Sequence, residues 1–267
     1  MALLEGKRLA AEIKQRHTNE AARLLAHGIM PQLAIIQVKD DPVINTYVKL
    51  KQIYGQDIGV QVVVHKPSQT KTPDLINKLN NTAGVHGIIV QLPLPDPAGT
   101  DEVVNLVEPS KDVDALGRRA QFQPATPMAI LWLLEGNHIK LDDKKVLLIG
   151  RGKLVGGPLE KILKSRGIEV TVIDQPTPDL SRLTKKADII ITATSSPGVV
   201  HADMLHSGAV VVDAGVAAEE GRVVGDVDPD VYKRDDVTIT PQKGGVGPLT
   251  VCALFENLLQ AANAIKN

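Results

Sequence analysis

The sequence predicts an α/β protein of two domains, each built around a parallel sheet. Short apolar runs that suit buried strands alternate along the chain with segments in which apolar residues recur at helical spacing. Strands that alternate with helices in this way are typical of parallel sheets. The alternation occurs twice, before and after about residue 120, and a chain of 267 residues has reached the length at which one core begins to divide into two.

The first region is expected to begin with a helix over residues 1 to about 28. A second helix is expected at Pro42, because the preceding Asp41 has the side chain of a helix cap and proline suits a first turn. A third helix is expected to begin near Thr72. The predicted strands of this region are Gln32–Val38, Gln61–His65 and Gly87–Gln91.

The second region is expected to begin with a helix over Pro127–Glu135, and Gly244–Thr250 is predicted to be a loop. A closing helix, Val251–Ile265, follows the last strand, so it is expected to pack back on the first region. The predicted strands of this region are Val146–Ile149, Val170–Ile173, Ala187–Thr192, Ala209–Asp213 and Thr238–Pro241.

The predicted domains are therefore residues 1–120 together with 251–267, and residues 121–250. A cleft between two α/β domains is a favourable place for a substrate and a cofactor to meet.

Residues Lys145 to Asp174 carry the most specific local pattern: strand, glycine-rich turn, helix, strand and carboxylate. The turn contains Gly150, Gly152 and Gly156. Small residues there would let a pyrophosphate approach the amides and the positive end of the helix, and an acid roughly 20 residues later, here Asp174, suits the ribose hydroxyls. A glycine turn alone also fits a βαβ unit that binds nothing, but the complete order favours a Rossmann-type dinucleotide-binding domain.

Composition excludes several classes of function. A net charge of -1 offers no attraction to nucleic acid or an acidic membrane surface, and aromatic residues make up only 2% of the chain. Cys252 is the single cysteine, so neither disulfides nor a cysteine metal site is expected. Charged residues interrupt the apolar residues at the N-terminus, and no apolar run is long enough to span a bilayer. A cytoplasmic protein without a metal is expected.

Tyr47 and Lys51 lie four residues apart on one face of the second helix, near the expected ligand-binding edge of the sheet. A lysine acts as a base only when part of it is neutral, and a nearby neutral amide such as Gln91 would permit this, whereas a carboxylate would hold it as ammonium. Taken alone, the pair favours an ordinary solvent-exposed Lys51 beside a partly buried Tyr47. Short-chain dehydrogenases share the Tyr-x-x-x-Lys spacing, but there the glycine turn precedes the pair, so the order rejects that class.

Several phrases together resemble the bifunctional methylenetetrahydrofolate dehydrogenase/methenyltetrahydrofolate cyclohydrolase (FolD) family, and the resemblance covers essentially the whole chain. The phrases stand in the order of that family. They are Tyr47–Lys51 (YVKLK), Val90–Pro95 (VQLPLP), Pro109–Asp114 (PSKDVD), Gly225–Asp228 (GDVD) and Gly244–Thr250 (GGVGPLT).

The resemblance implies roles for individual residues. Lys51 would be the catalytic lysine, with Tyr47 beside the folate, Gln91 adjusting the lysine, and Asp114 hydrogen-bonding the pterin. The folate site would also include Leu92, Pro93, Gly247 and Pro248. The cofactor site would comprise Gly150, Arg151, Gly152, Gly156, Asp174, Gln175 and Val216.

The resemblance also implies the reactions: oxidation of methylenetetrahydrofolate with NAD(P), then hydrolysis of methenyltetrahydrofolate to formyltetrahydrofolate by a homodimer. This chemistry belongs to one-carbon metabolism and purine biosynthesis. The alternatives are a member that retains only the cyclohydrolase step, a non-catalytic folate- or nucleotide-binding protein, and an unrelated two-domain dehydrogenase. Retention of Lys51, Gln91 and Asp114 together argues against pure binding, and the KDVD and GGVGPLT phrases are unexplained by an unrelated dehydrogenase.

The chain departs from the family at the cofactor turn, where Gly152 stands for serine and Asp174–Gln175 stand for the common His-Ser. The family default is NADP. A carboxylate at Asp174 would repel the additional phosphate of NADP and suit NAD, whereas Arg151 could pair with that phosphate. Appreciable use of NAD is therefore expected. Ala115 also replaces a glycine that usually follows KDVD.

Overall fold

The computed structural model describes residues 2–219 and 222–264. The helices are α1 (Gly6–Ala26), α2 (Pro42–Ile58), α3 (Thr72–Asn80), α4 (Thr100–Val104), α5 (Ala125–Gly136), α6 (Gly156–Ser165), α7 (Leu180–Thr184) and α8 (Val246–Ala264). The strands are β1 (Ala2–Leu3), β2 (Gln32–Gln37), β3 (Gln61–His65), β4 (Gly87–Gln91), β5 (Val146–Ile149), β6 (Val170–Ile173), β7 (Ile189–Thr192), β8 (Val210–Asp213), β9 (Ala217–Glu219), β10 (Arg222–Val224) and β11 (Thr238–Ile239). Ile265, the predicted end of the closing helix, and the rest of 265–267 lie outside the described residues.

The chain forms two compact units. The three-stranded unit comprises Ala11–Ala125 with Val251–Asn267, and the six-stranded unit comprises Met1–Ala10 with Thr126–Thr250. The main sheet of each unit is parallel, so the predicted α/β class is confirmed. Among the described residues, none of the helices combines the length and the apolar character needed to cross a membrane.

The three-stranded unit has the strand order β3-β2-β4. Its core lies between this sheet and the helices after β3 and β4, and it includes Ile36, Ile76 and Val90. The start of α2 agrees with the prediction: Asp41 accepts hydrogen bonds from the amides of Val43 (2.9 Å) and Ile44. This places α2 directly after the carboxyl end of β2.

The predicted packing of the closing helix on the first region is confirmed. Buried Asn257 of α8 donates hydrogen bonds to the carbonyls of Val113 and Gln123, each at 2.8 Å. A side chain at Gly87 of β4 would collide with Leu258 of the same helix. A larger residue at this point of the sheet would therefore force the side chains of Leu258 and Val113 to shift.

The six-stranded unit has the strand order β6-β5-β7-β8-β11-β1. From β5 the chain adds β6 on one side and then returns to add β7 on the other. This reversal creates a switch point at the carboxyl ends of β5 and β7, where open parallel sheets bind ligands. The core beneath it is formed mainly by aliphatic side chains, among them Leu147, Ile190 and Val211.

The predicted helix over residues 1 to about 28 is wrong in its first residues. Ala2–Leu3 pair in parallel with Thr238–Ile239, and the helix begins only at Gly6. This edge strand groups the first ten residues with the six-stranded unit, whereas the predicted division placed them in the first domain. The pairing joins the two ends of the sequence, so no local pattern marks it.

The predicted loop Gly244–Thr250 is correct for Gly244 and Gly245 but wrong from Val246 onwards, where α8 begins. Pro248 is compatible with a first turn, where its missing N–H would have no partner within the helix. Gly244, with φ 93°, makes the turn before the helix. Several strands also end a residue or two short of their predicted limits, as is common at element ends.

Ala115 has a φ of 56°, in the left-handed region that favours glycine. This conformation costs an alanine about 1–2 kcal/mol, and glycine adopts it without that cost. Part of the gain is offset because glycine has more conformational freedom in the unfolded chain. We therefore expect Ala115→Gly to stabilise the protein by about 0.5–1 kcal/mol in urea unfolding. The matched control is Ala22→Gly on the exposed face of α1, which should destabilise by about 1 kcal/mol. Loss of stability in both variants would contradict the expectation.

Glu256 of α8 is held by two residues of α1. Its Oε2 lies 3.0 Å from Nε2 of buried His17 and 2.5 Å from Nη2 of Arg16. The hydrogen bond with His17 is the main cause that lowers the pKa of Glu256 to about 2. The ionised carboxylate therefore stabilises the fold above its unfolded pKa of about 4.3, and this contribution is lost as the pH falls towards 2.

We expect Glu256→Gln to lower the free energy of unfolding by about 2 kcal/mol at pH 7, a value that allows for partial exposure of the side chain. The difference from the unsubstituted protein should shrink as the pH falls from about 5 to about 3. Urea unfolding at pH 7, 5 and 3 measures it. A constant difference across this range would show that the ionisation of Glu256 is not responsible.

Candidate active site

Lys51 and Gln91 meet at the carboxyl edge of the three-stranded sheet. Gln91 is the last residue of β4, and Lys51 lies on α2, which follows β2. The Nζ atom of Lys51 donates a hydrogen bond to Oε1 of Gln91 at 2.6 Å. Nε2 of Gln91 donates to the carbonyl of Leu92 at 3.2 Å, so the amide oxygen is turned towards the lysine. The amine thus has a neutral acceptor.

Burial lowers the pKa of Lys51, and the nearby Asp114 opposes this shift. Burial likewise raises the pKa of Asp114, against the influence of Lys51. Each group is therefore shifted towards its neutral form, and the fraction of neutral amine exceeds that of a lysine in water. This is the electrostatic condition that a lysine base requires.

Tyr47 lies one turn before Lys51 on α2 and is partly buried. Burial raises the pKa of its hydroxyl, so the ring adds no charge beside the lysine. After Gln91 the chain continues through a cis peptide bond between partly buried Leu92 and exposed Pro93. Both residues follow the carboxyl end of β4 directly.

The KDVD phrase separates into two structural residues and one candidate for substrate binding. Lys111 donates to the carbonyls of Leu79, Asn80 and Thr82 at 3.2, 2.8 and 2.9 Å, so it closes the carboxyl end of α3.

Asp112 is buried and accepts from the amides of Leu116 (3.3 Å) and Gly117 (2.8 Å). Burial raises the pKa of Asp112 to about 6 despite these hydrogen bonds. The amide of Ile88 donates to the carbonyl of Lys111 at 2.8 Å, which holds the phrase along β4. Of the two acids, Asp114 is therefore the one that faces Lys51.

The glycine turn in the six-stranded unit has the shape that a dinucleotide phosphate requires. A side chain at Gly150 would collide with the carbonyl of Ala193, and one at Gly156 would collide with the carbonyl of Gly150. These two glycines are needed for close packing of the turn at the switch point. At Gly152, by contrast, an added Cβ would meet nothing within 4 Å. The turn thus leaves open space above the start of α6.

The start of α6 is also suited to an anion. Val155 occupies the cap position, and among the described residues no side chain caps this end of the helix. In the first turn the amide of Gly157 donates to the carbonyl of Gly152 at 3.0 Å and Pro158 has no N–H, so it is mainly the positive end of the helix that the turn offers to a phosphate. These features fit the pyrophosphate of a dinucleotide.

Arg151 and Asp174 lie just beyond the carboxyl ends of the paired strands β5 and β6. The amide of Gly150 donates to the carbonyl of Ile173 at 2.7 Å, and Arg151 and Asp174 are the residues that follow this bonded pair. Arg151, Asp174 and Gln175 are all exposed. The carboxylate of Asp174 thus directly follows β6, where a dinucleotide-binding unit has an acid for the ribose.

A buried acid, Glu160, was missed by sequence reasoning. Its carboxylate accepts from Nε of Arg151 at 2.6 Å and from Nζ of Lys164 at 2.7 Å, and these two cations lower its pKa. The spacing of Glu160 and Lys164 is the usual helical one, but Arg151 precedes α6 and its approach depends on the path of the glycine turn.

Two further acids, partly buried Asp213 and buried Asp226, hold the loop that contains Val216. Oδ1 of Asp213 accepts hydrogen bonds from the amides of Gly215 and Asp226, each at 3.0 Å. Oδ2 of Asp226 accepts from the amide of Thr194 at 2.8 Å. Val216 itself is 47% exposed beyond the carboxyl end of β8. Asp226, the first acid of the GDVD phrase, therefore helps to hold this loop in place.

Gly247 and Pro248 lie in the first turn of α8, within the six-stranded unit. Pro248 is partly buried, whereas Gly247 is exposed and has open space around the position of a Cβ. Within residues 2–219 and 222–264, no cluster of His, Cys, Asp or Glu side chains has a geometry that could hold a metal ion.

Comparison with protein families matches two models that together span nearly the whole chain. Residues 4–114 match the catalytic domain of tetrahydrofolate dehydrogenase/cyclohydrolase, and residues 124–266 match the NAD(P)-binding domain of the same enzymes.

Individual proteins are similar over the same extent. The bifunctional protein FolD of Nautilia profundicola is 37% identical over 98% of this chain and 97% of its own length. The crystal structure of bifunctional FolD from Campylobacter jejuni superposes with a TM-score of 0.93 at 37% identity, covering 99% of each chain. The Trypanosoma brucei enzyme, crystallised with NADP and an inhibitor, has a TM-score of 0.93 at 29% identity over 100% of this chain and 99% of its own.

Proposed function

The chain belongs to the tetrahydrofolate dehydrogenase/cyclohydrolase family, and from this membership we propose that it catalyses both reactions of the family. It oxidises methylenetetrahydrofolate to methenyltetrahydrofolate with a nicotinamide cofactor and then hydrolyses the product to formyltetrahydrofolate. The observation that carries the proposal is the hydrogen bond of 2.6 Å between Lys51 and the neutral amide of Gln91. The proposal extends to a cytoplasmic homodimer that supplies one-carbon units, as family resemblance implies.

The oxidation needs alignment more than acid–base catalysis. When bound, NAD(P) supplies the hydride acceptor, and the cation that develops on the folate is delocalised over two nitrogens of the substrate. We assign the pterin contact to Asp114, as the family resemblance implies, because its carboxyl group can hydrogen-bond a heterocycle. The turn from Gly150 to Gly156 holds the phosphates, with Val216 at the nicotinamide end.

The hydrolysis needs a base, and we assign that role to Lys51. Its neutral amine takes a proton from the water that attacks the methenyl carbon, and it returns a proton to the folate nitrogen as the ring opens. Gln91 orients the amine without supplying a negative charge. Tyr47 places an uncharged aromatic ring on the same face of α2 as Lys51.

We propose that the enzyme uses NAD appreciably. Asp174 directly follows β6 and has an exposed carboxylate, which suits the free ribose hydroxyls of NAD and repels the 2′-phosphate of NADP. Gln175, the next residue, is uncharged and offers that phosphate no compensating cation.

A spectroscopic assay with methylenetetrahydrofolate and each cofactor in turn tests the proposal. Formation of the methenyl intermediate reports the oxidation, and its decay reports the hydrolysis. Both phases are expected, with turnover on NAD as well as NADP. Hydrolysis of methenyltetrahydrofolate that is added directly, without its formation from methylenetetrahydrofolate, would identify a cyclohydrolase alone, and a preference for NADP above about a hundredfold would contradict the assignment to Asp174.

A further inference from the structure

Glu160 is an acid in the body of α6 that is only 5% exposed. A carboxylate in this position needs partners, because burial without them carries a large cost. It has two: Lys164 one turn later on the same helix, and Arg151 from the glycine turn. The guanidinium approaches edge-on, with Nε 2.6 Å from Oε2 and Nη2 3.3 Å from Oε1.

Glu160 occupies the Nε and Nη2 edge of the Arg151 guanidinium. Arginine can also use this edge to bind a phosphate. Nε and Nη2 form a fork that matches two oxygens of a carboxylate or a phosphate. Arg151 and Asp174 also lie at the ends of neighbouring strands, since each follows one member of the hydrogen-bonded pair Gly150 and Ile173. A ribose bound at Asp174 therefore lies next to Arg151.

We propose that Glu160 is a specificity-determining residue of the cofactor site, which disfavours a 2′-phosphate by holding Arg151 in its own ion pair. To bind the phosphate with this fork, Arg151 must leave Glu160. The buried carboxylate then keeps only Lys164 as a partner. The loss of the ion pair between Arg151 and Glu160 therefore offsets most of the free energy that the contact between Arg151 and the phosphate provides. Glu160 acts through Arg151 as a positioning residue, and it reinforces the repulsion by Asp174.

The inference rests on the proposed dehydrogenase function, because the ligand is a dinucleotide. Its test is the binding of NAD⁺ and NADP⁺ by isothermal titration calorimetry, which requires no turnover. Glu160→Gln preserves the size of the side chain and an oxygen acceptor but removes the charge that holds Arg151. We expect this variant to bind NADP⁺ about tenfold more tightly, with binding of NAD⁺ nearly unchanged.

Two comparisons separate this role from a general effect of charge. Glu169→Gln makes the same change in charge immediately before β6, at the end of that strand opposite to Asp174, and should leave the ratio of the two dissociation constants unchanged. In the double variant Glu160→Gln/Arg151→Gln the gain for NADP⁺ should disappear, because the freed guanidinium is its source.

A folded Glu160→Gln variant with an unchanged ratio, or with weaker binding of NADP⁺, overturns the inference. Should that variant fail to fold, Glu160→Asp retains the charge but shortens the side chain, and a smaller gain for NADP⁺ is expected; no gain there overturns the inference equally. If the unsubstituted protein binds neither dinucleotide, the proposed dehydrogenase function fails as well. Binding of both cofactors without a change in ratio overturns only the role of Glu160.

Discussion

Replacement of Lys51 by methionine is expected to lower the hydrolysis of methenyltetrahydrofolate by about 10³-fold, within the range typical of a lost general base. Methionine fills a similar volume but has no amine to accept a proton from water. The oxidation should suffer much less, because it depends on alignment of the substrate and not on a base. The measurement is the rate of decay of the methenyl intermediate at pH 7, beside the rate of its formation.

Lys49 provides the matched control for this substitution. It lies two residues before Lys51 on α2, on a different and exposed face of the helix. Lys49→Met makes the same chemical change and should leave both rates within about twofold of the unsubstituted enzyme. Unchanged hydrolysis in Lys51→Met would refute the assignment of the base.

The position of Lys51 and Gln91 at one edge of the sheet could be predicted from local rules, whereas the role of a base came from the family resemblance. Gln91 ends a strand, and Lys51 follows another strand by one helical segment. In a parallel sheet such positions converge at one edge, since the carboxyl ends of the strands lie together. The glycine turn and Asp174 were accessible for the same reason, as parts of one continuous βαβ unit.

Other features of the fold depend on contacts between distant parts of the chain. The strand Ala2–Leu3 exists only because β11 offers it an open edge. Two residues without a turn signal carry no pattern of their own. The start of α8 was misplaced because glycines and a proline usually indicate a loop, although a first turn tolerates both.

The ion pair between Glu160 and Arg151 is a contact that the spacing of residues in the sequence does not predict. Its members are separated by nine residues, a spacing with no meaning within a single helix. They meet only because the glycine turn folds back on the second turn of α6. Sequence reasoning therefore treated Arg151 as free for a phosphate, while the structure gives its guanidinium an acidic partner.

The hydrogen bond between Lys51 and Gln91 also supports a prediction about charge. Replacing Gln91 by glutamate would place a carboxylate where the amide oxygen now lies, 2.6 Å from the amine. An opposite charge at this distance raises a lysine pKa by about 1–3 units and so opposes the lowering caused by burial. The neutral fraction of Lys51 at pH 7 should fall, and hydrolysis should fall with it by about 10–1000-fold.

The raised pKa of Lys51 in this variant predicts a shift of the pH profile of hydrolysis. Because the raised pKa delays formation of the neutral amine, hydrolysis by Gln91→Glu should recover as the pH rises, with its profile displaced to the alkaline side. Gln91→Met is the control: it removes the hydrogen bond without adding charge, so its rate can fall but its profile should not move to higher pH. Rates of methenyl hydrolysis between pH 6 and about 9.5, corrected for the spontaneous reaction, measure both variants. A profile for Gln91→Glu that coincides with that of the unsubstituted enzyme would mean that the amine of Lys51 does not limit the hydrolysis.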